Sequence, residues 1–167
     1  LLVSNGLSPN TQLIKSLIEE LPPHTLIHLY KKNNLEWNLN LSNVMNDPSI
    51  QLVVFDDFPG TKNDSQIYHR ISENILWKNS TQIYIEGPKS NASTAEILSN
   101  KLDLSVKIKD NINDLKIDYF NESSVLKPVD ISSIPPTKKQ MVWKSNASSI
   151  IYGFDDSSAG IIQLNKF

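Results

Sequence analysis

Ile50-Gln51-Leu52-Val53-Val54-Phe55-Asp56-Asp57 is the stretch on which the fold turns. Four consecutive apolar residues, β-branched at two positions, make a strand buried on both faces, and such strands belong to parallel sheets covered by helices. Two carboxylates close the run, and Phe58-Pro59-Gly60 then turns the chain. Working outward, the neighbouring segments alternate strand and helix. Leu1 to Ser4 reads as a strand and Asn5-Gly6 as a turn. Ser8 and Pro9 suit the cap and first turn of a helix whose apolar face is Leu13, Ile14, Leu17, Ile18 and Leu21. Pro22-Pro23 ends that helix, and Thr25 to Tyr30 is the next β-prone run.

Leu35, Trp37, Leu39 and Leu41 alternate with polar neighbours as in an extended segment, with a short helical turn at 43–47. Beyond the central strand, Asp64 or Ser65 caps a helix carrying Ile67, Tyr68, Ile71, Ile75 and Leu76. Thr81 to Ile85 is a strand, and Ser93-Thr94-Ala95-Glu96 has the capping-box form, with Ile97, Leu98 and Leu102 behind it. This order yields an α/β, Rossmann-like three-layer fold whose mostly parallel sheet occupies residues 1–102.

The last third reads differently. Val106 to Ile108 and Leu115 to Tyr119 suggest a hairpin, 126–140 holds three prolines and reads as an irregular crossing, and Met141 to Lys144 is strand-like. Ser149 to Phe154 and Gly160 to Leu164 form a second hairpin signal around 155–159. Residues 103–167 are therefore expected to extend the sheet with antiparallel strands, giving one α/β domain over 1–167, since so short a tail makes a weak core alone. The first hundred residues resemble a Rossmann-like sheet, and the tail is similar to the closing hairpin of class I methyltransferase-like folds. That resemblance is one of topology; the glycine-rich first loop that binds the methyl donor in those folds is replaced by Val3-Ser4-Asn5-Gly6-Leu7-Ser8.

Composition narrows the function classes. The 167 residues carry a net charge of -2, which gives no electrostatic reason to expect nucleic acid or an anionic membrane as partner. No apolar run approaches the roughly 20 residues that cross a bilayer. There is no cysteine, hence no disulfide, thiolate metal site or cysteine nucleophile. Together with the lack of a signal-peptide pattern, this points to the cytoplasm. Six N-x-[ST] sequons begin at Asn40, Asn63, Asn79, Asn91, Asn121 and Asn146 and matter only in a secreted chain. The opening at Leu1, already inside a strand-like run, suggests a piece of a longer polypeptide.

Ligands of parallel sheets sit past the strand C-termini. Gly6 is the single glycine of the first such loop, and Pro9 lacks an N–H that could hold an anion, so a capped turn outweighs a degenerate phosphate site there. Asp56 and Asp57 stand where P-loop enzymes place a magnesium-binding carboxylate, but the lysine-bearing phosphate loop is missing and a turn reading prevails. Glu86, closing the strand at 81–85, could join them to hold a cofactor, or lie solvated. His24 and His28 on a strand would stand roughly 13 Å apart at about 3.3 Å per residue, too far to share a metal, and His69 lies on a helix. Asp156-Ser157-Ser158-Ala159-Gly160 resembles a nucleophile elbow, yet no histidine follows it, which excludes a serine hydrolase. Trp37, Trp77 and Trp143 are scattered as core residues are.

These readings favour a non-catalytic Rossmann-like structural or interaction domain, with no cofactor, metal or catalytic residue, serving a protein partner or neighbouring domain. The alternative is a nucleotide- or S-adenosylmethionine-dependent transferase, whose cofactor would lie against Gly6, Asp56, Asp57 and Glu86.

Overall fold

A computed structural model describes residues 1–20, 25–33, 36–87 and 89–102, and beyond them the backbone of seven short strands. The chain is mixed α/β and divides into two compact units, Leu1–Thr94 and Ala95–Phe167. In the first unit, β1 (Leu2–Ser4), β2 (His28–Tyr30), β3 (Leu52–Asp56) and β4 (Thr81–Ile85) form an all-parallel sheet in the order β2-β1-β3-β4. Val3 stands opposite Leu29 on one side and Phe55 on the other, and Val54 opposite Ile83. The connections contain α1 (Pro9–Glu19), α2 (Leu41–Met45) and α3 (Ser65–Ser72), and α4 (Ala92–Leu102) follows β4. No described helix is long and apolar enough to cross a membrane.

The expected doubly buried strand is the centre of the core. Val53, Val54 and Phe55 are buried, as are Leu2, Val3 and Leu29 beside them. Phe55 stacks on Phe58 with ring centroids 6.3 Å apart and meets Tyr68 at 5.1 Å, while Trp37 sets its edge on Phe58 at 5.5 Å. Trp77 is buried and donates its indole N–H to the Asp47 carbonyl at 2.6 Å, so its polar end is satisfied within the core.

The structure departs from the sequence reading at the faces of α1 and α3. Thr11, not a leucine, is the buried residue of α1, while Leu13 and Leu17 are 60% and 55% exposed. Ser8 caps the helix by accepting the Thr11 N–H, and the Thr11 hydroxyl donates to Asp56 of β3. Those bonds set the helical phase. At about 100° per residue, Ile14 and Ile18 follow Thr11 round to the sheltered side and Leu13 and Leu17 fall opposite it. Likewise α3 ends at Ser72, and the Asn74 side chain caps a 3-10 turn over Ile75–Trp77. The change of pitch turns Ile75 and Leu76 outward and Trp77 inward.

At α4 the cap is Asn91, whose side chain accepts from Ser93 and Thr94, two residues before the expected capping box. In the second unit β5 (Ser105–Ile108) pairs antiparallel with β9 (Met141–Lys144), rather than with the segment after it. β6 (Asp114–Leu115) pairs with β8 (Thr137–Lys138). β10 (Ser149–Phe154) pairs antiparallel with β7 (Ile117–Phe120) and with β11 (Ala159–Gln163). No strand pairing among the described residues joins these strands to the parallel sheet. The Pro22-Pro23 stop, His24, the sequons at Asn121 and Asn146, the turn at 155–158 and nearly all of the 126–140 crossing lie outside the described residues.

Candidate functional site

In the order β2-β1-β3-β4 the chain leaves β1 toward one side and β3 toward the other, so the crevice where a doubly wound sheet takes its ligand lies past the ends of β1 and β3. The protein's own side chains occupy that ground. Asp56 is 2% exposed, and its Oδ2 accepts the Thr11 hydroxyl at 2.5 Å. The Thr11 proton is thereby committed. The 2.8 Å contact between the Ser8 and Thr11 hydroxyls must then be donated by Ser8, which orients a relay from the cap of α1 to the end of β3. Asn5 packs against the backbone of Gly60 so closely that a Cβ on Gly60 would sit 1.9 Å from the Asn5 side-chain nitrogen.

Asp57 turns the other way. It adopts φ 54, the left-handed region that aspartate enters more readily than most residues, ahead of a cis Phe58-Pro59 bond. Its two carboxylate oxygens share the Lys89 N–H, each at 3.0 Å, and one accepts the Ser90 hydroxyl at 3.1 Å. The loop after β4 is thus tied to the loop after β3. A Cβ on Gly87 would come within 2.5 Å of Asp57, so only glycine fits there. Burial pushes the Asp57 carboxyl above its usual range; the Lys89 N–H and Ser90 hydroxyl oppose this, and Asp56 adds to it. Thr94 donates to the Pro59 carbonyl at 2.7 Å and the Asn91 amide to the Gly60 carbonyl at 2.8 Å. The sequon asparagines Asn40 and Asn91 both serve as helix caps.

A third carboxylate, read from the sequence only as a helix cap, carries more of the loop. Asp64 is 2% exposed; its Oδ2 accepts the N–H groups of Gly60 and Thr61 at 3.0 and 2.9 Å. Its Oδ1 meets Lys31 Nζ at 2.5 Å in an ion pair buried on both sides. The sequence signal for Asp64 was its capping position alone; nothing marks Lys31, at the end of β2, as its partner. His28 completes the set. Ser4 donates to the Gly6 carbonyl at 2.8 Å, so the 2.9 Å contact between Ser4 Oγ and His28 Nε2 is donated by the imidazole. Burial, with Lys15 nearby, holds the His28 imidazole below its usual value, with Asp56 pulling the other way.

The four residues proposed from sequence therefore divide. Asp56 and Asp57 are electrostatic neighbours whose side chains tie two different elements, α1 and the loop after β4. Glu86 lies half-buried past β4 and acts on Tyr84. Gly6 alone of the four lines the surface depression of about 380 Å³ beside the ends of β1 and β2. Among the described residues, no three histidine, aspartate or glutamate side chains gather as a metal site requires. Comparison with protein-family models, with curated proteins and with solved structures finds no match for the chain.

Proposed function

We propose that this chain is a non-catalytic, Rossmann-like structural and interaction domain, working within a multidomain protein or a multiprotein complex. The observation that carries the reading is the switch-point crevice: its carboxylates bind Thr11, Lys89 and Ser90 of the chain itself, where an enzyme would leave them facing a ligand. The exposed leucines of α1 support it. Leu13 and Leu17, one helical turn apart, stand opposite the Thr11 face and offer an apolar strip to a protein partner or neighbouring domain. The three-layer arrangement with an antiparallel extension, and a cytoplasmic setting, belong to the same proposal and rest on the sequence pattern and the cysteine-free composition.

The test is photo-crosslinking in the source cell, with a photoreactive residue at position 13, 17 or 78. A partner captured at both 13 and 17 and absent at the exposed Lys78 supports the reading. Capture of nothing at 13 and 17, or of the same mixture at all three, overturns it.

A further inference from the structure

We infer that the depression beside Gly6 binds the phosphate group of a small molecule. It is a separate matter from the crevice between β1 and β3, which the chain fills. The volume, about 380 Å³, lies within the range of small-molecule sites, roughly 300–1,000 Å³. Among the described residues three lysines line it, and no carboxylate side chain does. Lys31 is neutralised by Asp64, so it is a wall rather than a ligand. Lys89 and Lys32 are different. Lys89 Nζ is held by the neutral Asn5 carbonyl at 2.8 Å, with the Asp57 carboxylate an electrostatic neighbour outside hydrogen-bond contact with the ammonium. Lys32 is exposed and has no ion-pair partner among the described residues.

The floor between them suits an anion. Gly6, at φ 131, leaves bare backbone there, and a Cβ would stand 3.3 Å from Lys89 Nζ. Among the described residues, the Gly6 and Leu7 N–H groups donate to no backbone acceptor. The Ser4 and His28 bonds fix the Gly6 carbonyl and hold this loop in place. Two point charges on a lining that also holds Gly6 and Leu7, whose N–H groups have no described backbone acceptor, match the distributed charge of a phosphate. A planar carboxylate would call for the paired donors of an arginine, and among the described residues none lines the depression.

Calorimetric titration of the whole chain at low salt, with pyrophosphate, ribose 5-phosphate and AMP as separate probes, tests this. The expected result is saturable one-to-one binding of at least one probe. Lys32→Glu should weaken it at least tenfold, while Lys78→Glu should leave it unchanged. Lys32 is exposed, so Lys32→Glu should melt like the parent, which separates lost binding from lost folding. Gly6→Ala, which sets a Cβ on the floor 3.3 Å from Lys89 Nζ, should weaken binding as well. Saturable binding of no probe, or binding indifferent to Lys32→Glu, overturns the inference. Neither outcome bears on the role of α1.

Discussion

Asp57 separates an anchoring carboxylate from a ligand-binding one, through the contrast between Asp57→Ala and Asp57→Asn. In the native chain the carboxylate accepts from Lys89 N–H and from Ser90, with backbone at φ 54 and 8% exposure. Alanine removes both acceptors. Hydrogen bonds to a charged group contribute about 1.5–3 kcal/mol, and relief from burying the charge offsets part of that, leaving about 2 kcal/mol. Placing alanine in the left-handed region costs about 1 kcal/mol more. The sum, about 3 kcal/mol, corresponds to a Tm lower by roughly 6–12 °C for a chain of this size. Asparagine keeps an acceptor and tolerates the left-handed backbone, so Asp57→Asn should change stability by less than about 1 kcal/mol at pH 7.

The pH dependence goes with it. Asp57 titrates above its usual value in the folded state, so between the two values the folded chain holds the extra proton and stability falls as pH rises. Asp57→Asn should abolish that decline. Urea unfolding of the three proteins from pH 4 to 8 measures all of this. Equal losses in the alanine and asparagine variants would refute the reasoning, since the charge itself would then be required; so would an alanine variant as stable as the parent.

Lys31→Met leaves Asp64 charged and buried and should cost about 3–5 kcal/mol, part of which Asp64→Asn restores in the double variant; strictly additive losses in a double-mutant cycle would contradict a coupled pair. His28 is held below its ordinary value, so the unfolded chain takes up its proton first and stability falls as pH drops below about 6.5. His28→Gln should flatten that slope in urea titrations between pH 5 and 7, and an unchanged slope would assign it elsewhere. The Ser80 hydroxyl is buried without a hydrogen-bond partner among the described residues, so Ser80→Ala should be neutral or stabilising by up to about 1 kcal/mol, against a measured loss that would reveal a missed bond. Leu13→Glu with Leu17→Glu should shift stability by no more than about 1 kcal/mol, as exposed positions do; a loss above 3 kcal/mol would place that face in the core.

The elements that can be read from the sequence are those whose signal is local. The apolar run at 52–55 and the strand at 81–85 need only their own composition, and they recover the inner strand β3 and its edge neighbour β4. Helix faces are set by partners distant in sequence, and there the reading fails. Thr11 looks like one polar residue among several, yet its bond to Asp56, 45 residues on, decides which leucines of α1 stay exposed. The same holds for the site. Strand-end carboxylates are visible as a pattern, but whether they face a ligand or a loop depends on Lys89 and Ser90, which no spacing links to Asp57. Gly6 was legible as a loop glycine; the lysines around it come from two segments distant in sequence, the ends of β2 and β4.

The crevice past β1 and β3 is occupied by the chain's own side chains. An amide-resolved NMR titration with millimolar ATP–magnesium and, separately, S-adenosylmethionine tests it most directly. The expected result is no saturable shift at Asp56, Asp57 or Thr11, with any response to phosphate confined to Gly6, Leu7, Lys32 and Lys89. Saturable shifts at Asp56 and Asp57 would contradict it and return those carboxylates to a ligand.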